Sequence, residues 1–187
     1  MVAATKRRRR KSPKDHVAVR GFFRIRVTEG DLDKPDSLRV IGETNVDENG
    51  NLIDDGFLPN TVTNLGFDQF LCQTLAGMAG SKTVSHMAVG TGGAPAASDT
   101  SLSGEITHAT NDRKTVSPTT VASKTAQFTA AFNSSDSFLT ASANLSNVGL
   151  FNTSTTAAGT LFAGNTFASS AVATNNNLQV TYQIRFS

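Results

Sequence analysis

From Leu178 to Phe186 the sequence alternates without a break. Leu178, Val180, Tyr182, Ile184 and Phe186 are separated by Gln179, Thr181, Gln183 and Arg185. A period of two places the five apolar side chains on one face of a strand and the polar ones on the other. Such a face has to be buried, and one-sided burial is characteristic of antiparallel sheets. Val17 to Val27 repeats the pattern, with Val17, Val19, Phe23, Ile25 and Val27 on one face, Arg20, Arg24 and Arg26 on the other, and Phe22 out of step. Thr125 to Phe132 is a third case, with Ala126, Phe128, Ala130 and Phe132 aligned. Shorter apolar stretches at 38–46, 52–58, 84–89, 147–151 and 160–167 are separated by polar connections. Thr, Ser and Asn make up 56 of the 187 residues, a bias toward strands and turns rather than helices. The expected fold is mainly β: an antiparallel β-sandwich, jelly-roll-like, with one short helix and an extended basic N-terminal arm.

The helix is expected at residues 64–78. Phe67, Phe70, Leu71, Leu75 and Met78 fall on one helical stripe and are read as core. Thr63 or Asn64 can cap its start, and Gly77 or Gly80 can end it. Cys72 sits at the edge of the stripe and reads as a buried thiol. Asn49-Gly50 marks a hairpin turn, because both residues tolerate positive φ. Two domains of unequal kind follow: a basic arm over 1–16 and a β-sandwich over 17–187, with a sub-boundary near 57–64.

The net charge of +2 conceals a strong polarity. Residues 1–20 carry eight positive groups and one negative, and the rest of the chain is net −5. The arm is formed by Lys6, Arg7, Arg8, Arg9, Arg10, Lys11 and Lys14. That run has no apolar residue to bury and cannot fold alone. It reads either as a solvated tail or as an interaction arm that docks on an acidic surface. Residues 29–55 hold nine acids against two bases. Of these, Asp31, Asp33, Asp36, Asp47, Glu48, Asp54 and Asp55 form a candidate counter-surface on a neighbouring copy. Four adjacent arginines could instead meet nucleic-acid phosphates without reading sequence.

Several chemistries are excluded by pattern. One Cys rules out a disulfide scaffold or a Cys-rich zinc module. No apolar run is long enough to span a membrane, and no apolar stretch follows the basic run as a secretory signal requires. Gly90-Thr91-Gly92-Gly93 lacks the Lys-Ser/Thr of a phosphate-binding loop and reads as a turn. Asp47 to Asp55 resembles a calcium loop only loosely, since Gly50 comes too early and Leu58 stands where the closing Glu belongs. His16, His86 and His108 have no second His at ligand spacing. No Gly-x-Ser-x-Gly elbow is present. No catalytic, cofactor or metal residue is therefore expected, and the chain is not read as an enzyme.

Four stretches in a fixed order carry a resemblance: LPNTVTNLGFDQFL (58–71), MAVGTGGAPAASDTSLSGEITH (87–108), VGLFNTSTTAAGTLFAGNTFA (148–168) and NNNLQVTYQIRF (175–186). In these the chain resembles small virion proteins of tailed bacteriophages, usually labelled tail-fibre-like or minor structural proteins. The resemblance covers residues 57–187 and implies a β-rich virion component that is not an enzyme. It leaves out the basic arm and the acidic segment and assigns no functional residue. The expectation that follows is a structural protein on the virion exterior, assembled in the host cytoplasm. It would be a capsid or neck decoration protein held by its arm, or else a tail or neck fibre-like accessory contacting the host. Its partners would be other virion proteins and further copies of itself, with nucleic acid as an alternative partner and no membrane. Carbohydrate recognition is disfavoured by one Tyr and no Trp.

Overall fold

The computed structural model describes residues 18–29, 38–41, 57–107, 113–156 and 158–187. The basic arm, the acidic positions from Asp31 to Asp55 and the Asn49-Gly50 turn lie outside the described residues. The described part is mainly β and antiparallel throughout. The strands are β1 (Val19–Glu29), β2 (Leu38–Ile41), β3 (Leu58–Val62), β4 (His86–Gly90), β5 (Lys114–Thr115), β6 (Ser117–Ala122), β7 (Thr125–Phe132), β8 (Ala143–Phe151), β9 (Leu161–Val172) and β10 (Asn176–Phe186). Nine of them hydrogen-bond in the order β5-β4-β8-β9-β3-β1-β10-β7-β6, and β2 pairs with β1 beside that path. The sheet is nearly closed into a barrel. Its two end strands, β5 and β6, are separated in sequence only by Val116, whose N–H donates to Ser85 O at 2.9 Å. The chain itself thus bridges the gap that hydrogen bonds leave.

The alternation in the sequence is what fills the interior. β1 and β10 pair along eleven residues, from Val19 opposite Phe186 to Glu29 opposite Asn176. In that register Phe23 faces Tyr182 and Ile25 faces Val180, and all four side chains are buried. The Phe23 and Tyr182 rings stack at 6.0 Å between centroids, within the range for favourable aromatic pairs. β3 turns the corner between the two halves of the sheet. Its residues 58–60 pair with β1, and Thr61 and Val62 pair with β9. The half formed by β4, β8 and β9 is covered on both faces. Met87, Val89, Val148 and Leu150 join the main core, while Ala88, Leu102, Phe151 and Leu161 form a second cluster on the other side. That explains why β4 and the end of β8 are apolar without alternating.

The helical segment departs from expectation. Thr63 does cap it: its hydroxyl accepts from Gly66 N–H at 2.9 Å and donates to Leu161 O at 2.7 Å. The middle, Gly66–Cys72, is wound as a π-helix, with α-helical residues before it at 64–65 and after it at Gln73–Leu75. Gly77 ends the segment at φ +61, with Met78 N–H reaching back to Gln73 O, the bond of a glycine-capped helix end. The wider i→i+5 winding breaks the stripe that a 3.6-residue period would align. Only Phe70 is buried, with its ring 5.0 Å from that of Phe162. Leu71 is half-buried, and Phe67, Leu75 and Met78 are exposed rather than core. Cys72 is exposed for the same reason, so the buried-thiol reading does not hold.

Candidate functional site

The first 17 residues join the fold at one mouth of the barrel. Ala18 and Ser187 exchange two backbone hydrogen bonds, at 2.7 and 2.9 Å, and Phe186 N–H donates to Lys124 O at 2.9 Å. The root of the basic segment is therefore fixed on the longest strand pairing in the sheet. Exposed Arg20 stands opposite Arg185, with Lys124 in the adjoining β6–β7 turn. Phe22, the residue out of step in β1, lies under the Arg185 guanidinium at 4.3 Å. Phe57 holds Arg24 at 4.9 Å and Arg185 at 5.4 Å. These cation–π contacts pair Phe22 and Phe57 with arginines of β1 and β10.

Inside the same mouth is a cavity of about 350 Å³. Its walls include Phe70 and Leu71 from the helical segment, Phe128 from β7, Phe162 from β9, and Ile184 and Phe186 from β10. Lys82 supplies a cation there, and its ammonium donates to the Thr160 hydroxyl. The size and apolar lining suit a binding cavity at a barrel mouth.

A second constellation organises the loops over β4, β8 and β9. Arg113 is buried and uses all five of its N–H donors. Nε and Nη2 grip the Glu105 carboxylate at 2.6 and 3.0 Å. Nη1 donates to the carbonyls of Thr153 and Ala158, and Nη2 to that of Thr156. The guanidinium lies 3.5 Å above the Phe151 ring. Nearby, the Gly90-Thr91-Gly92-Gly93 stretch, expected as a turn, is the end of β4 followed by a bend, and neighbouring atoms approach it closely. A Cβ on Gly90 would meet Asn147 Oδ1 at 2.5 Å, and one on Gly92 would meet Ser103 O at 2.2 Å. Asn147 of β8 donates from Nδ2 to Gly93 O and Ser103 O, which ties two points of the β4–β5 connection to that strand. The glycines at 90 and 92 serve packing here.

Among the described residues two titratable groups are shifted. Burial lowers the His86 imidazole below its ordinary value, and the Arg113 guanidinium lowers it further. Its Nδ1 lies 2.8 Å from the Ser85 hydroxyl, but the other ring nitrogen has no carboxylate partner among the described residues. That pair therefore lacks the orienting acid of a nucleophile–base system. Burial raises the Tyr182 phenol well above its ordinary value, and the neighbouring Asn60 amide acts in the opposite sense. The Tyr182 hydroxyl and both Asn60 amide atoms are buried without a hydrogen bond of ordinary geometry. Among the described residues no cluster of three His, Cys, Asp or Glu could hold a metal, and no helix is long and apolar enough to cross a membrane.

Lys6, Arg7, Arg8, Arg9, Arg10, Lys11 and Lys14 all lie outside the described residues, as do Asp31, Asp33, Asp36, Asp47, Glu48, Asp54 and Asp55. The structure does show where both groups are tethered. The basic run precedes Ala18 at the mouth, and the acidic stretch connects to β1, β2 and Phe57. The Arg113–Glu105 clamp and the mouth cavity have no motif in the sequence. The one signal for the clamp is that charge is scarce beyond residue 112, so a lone Arg there has a reason to be inside. No family model, no curated protein and no solved structure matches the chain.

Proposed function

We propose that this chain is a non-enzymatic structural protein of a tailed-bacteriophage virion, seated on the particle exterior as a capsid or neck decoration protein. Its basic N-terminal segment is the anchor. The observation that carries this reading is the rigid root of that segment: the Ala18–Ser187 bonds continue an eleven-residue pairing of β1 with β10. A polybasic run on a fixed base transmits binding to the whole domain, where one on a loose linker would not. The clamped loops of the β4–β8–β9 half fit a protein that works by presenting a fixed surface. As a finer architecture we read the two halves, joined at β3, as the opposed faces of a jelly-roll-like sandwich.

Nucleic acid is the second reading. It is favoured by Arg20, Arg24 and Arg26 on one face of β1, with Arg185 opposite Arg20 across the pairing. The test uses particles lacking the protein, to which purified protein is added back. Arg7, Arg8, Arg9 and Arg10 changed together to Ala should abolish particle binding and leave circular dichroism unchanged. Particle binding at wild-type level in that variant rejects the anchor. Salt-sensitive binding to bare DNA, lost in the same variant while particle binding persists, selects the second reading.

A further inference from the structure

The mouth cavity combines an apolar wall with a single charge. Phe70, Phe128, Phe162, Ile184 and Phe186 line its volume of about 350 Å³, and Lys82 is the one charged group among the described residues around it. A lysine ammonium has three N–H donors. One of them goes to the Thr160 hydroxyl, which is buried and lies 3.5 Å from Gln69 Oε1. Among the described residues from 57 onward the side-chain carboxylates are engaged elsewhere: Asp68, Asp99, Glu105 and Asp136 accept from Gln73, the Ala96 N–H, Arg113 and Lys114. A half-buried cation whose partner is a neutral hydroxyl is under-compensated, and an anion would complete it. Lys82 is also held in place. Its N–H donates to Gln69 O at 3.0 Å, and its carbonyl accepts from the Thr74 hydroxyl at 3.4 Å. Gln69 belongs to the π-wound stretch Gly66–Cys72, a winding that recurs at functional sites. The same stretch buries Phe70, so it supplies part of the apolar wall and fixes the cation beside it.

We propose that the mouth cavity binds a small amphiphilic carboxylate, with one short alkyl chain against the phenylalanines and its carboxylate on the Lys82 ammonium. The volume lies near the lower end of the range for small-molecule sites, roughly 300–1,000 Å³. That admits one short chain rather than a two-tailed lipid. The tail gains by leaving water. The head gains a charge-assisted hydrogen bond, which a partly buried setting strengthens. The inference does not depend on the basic segment being an anchor.

Calorimetric titration with decanoate, kept below its micelle concentration, should show saturable one-to-one binding. Acetate, the head without the tail, should not bind. Decanol and decyltrimethylammonium carry a similar tail on a neutral or cationic head. They should bind at least about tenfold more weakly, the factor expected from losing one hydrogen bond to a charged group. Lys82→Met should bring decanoate down to the affinity of decanol and leave decanol unchanged, while Lys82→Arg should keep most of the decanoate affinity. Ala126→Leu, which adds bulk at the cavity wall, should weaken both ligands. Circular dichroism and Tm check that each variant is folded. Changing Arg7, Arg8, Arg9 and Arg10 together to Ala should leave decanoate binding at the wild-type level. A loss in that variant places the anion on the basic segment and overturns the inference. Equal affinity of the wild type for decanoate and decanol, a comparison that needs no variant, overturns it as well. So do undiminished decanoate binding in Lys82→Met and the absence of decanoate binding to the wild type.

Discussion

Arg113→Ala removes a guanidinium from a site in which each of its five donors is occupied. The resulting loss can be apportioned from what remains. The carbonyls of Thr153, Thr156 and Ala158 belong to a surface loop and can rehydrate once the side chain is gone. Glu105 cannot do so easily: its side chain is 7% exposed and both its oxygens are held by Arg113. A buried carboxylate left without its partner typically costs about 3–5 kcal/mol. For a domain of this size that lowers Tm by roughly 10 °C. Replacing both members with apolar residues removes the stranded charge, so Arg113→Met combined with Glu105→Leu should recover most of the loss. Urea titrations of the wild type, both single variants and the double variant complete the cycle, and an interaction energy of about 1–3 kcal/mol is expected for groups in direct contact. Backbone amides of residues 152–160 should also exchange faster in Arg113→Ala. A loss below about 1 kcal/mol, or a double variant no more stable than Arg113→Ala, would show that the pair does not hold these loops.

Two further outcomes follow from the half-buried His86 and the buried Tyr182. In the folded chain His86 titrates below its ordinary value of 6.5, so the unfolded chain takes up a proton first. Its contribution to stability is complete above pH 6.5 and is lost as pH falls from there through the lowered folded value; denaturation midpoints measured across that window should decline in the wild type and flatten in His86→Gln. A decline of equal slope in the variant assigns the effect elsewhere. Tyr182→Asp should unfold the domain, because the position is fully buried between Phe23 and the core and a carboxylate there has no partner. Tyr182→Phe should change stability by less than about 1 kcal/mol, since the hydroxyl makes no hydrogen bond of ordinary geometry; a larger loss in urea denaturation would reveal a partner for it.

The parts of the fold legible in the sequence are those where one face is buried and the other is not. β1, β7 and β10 lie where alternation put them, and Phe23, Ile25, Val27, Leu178, Val180, Tyr182 and Ile184 are buried as their period required. The strand at Leu58–Val62 was hidden, because Pro59, Asn60 and Thr61 read as the approach to a helix rather than as a strand pairing with two others. Ser117–Ala122 was hidden as well: it is exposed along its whole length and so carries no apolar period. The helical stripe misled for a different reason. Periodicity reports spacing along a sequence, while the local winding decides where that spacing points, and a π-wound stretch sends Leu75 and Met78 outward. The clamp could not be read because Glu105 and Arg113 lie eight residues apart in the connection between β4 and β5, outside any strand, and their meeting depends on the β4–β8 pairing beneath them.

The distribution of charge separates folding from attachment, and salt should separate them experimentally. Among the described residues from 57 onward the carboxylates are Asp68, Asp99, Glu105 and Asp136, and each accepts a hydrogen bond within the fold. Their contribution is local, and the buried Arg113–Glu105 pair is shielded from mobile ions by its burial. The larger imbalances, +7 over residues 1–20 and −7 over residues 29–55, lie mostly outside this framework. Raising ionic strength from about 0.1 M to about 1 M shortens the Debye length from ~10 Å to ~3 Å. Attachment that depends on the arm should then weaken steeply, while Tm stays nearly constant. Particle release and thermal melting measured on the same salt series give the comparison. If melting temperature falls in step with attachment, the outer charges support the fold itself, and the division between a self-sufficient barrel and a charged anchor is wrong.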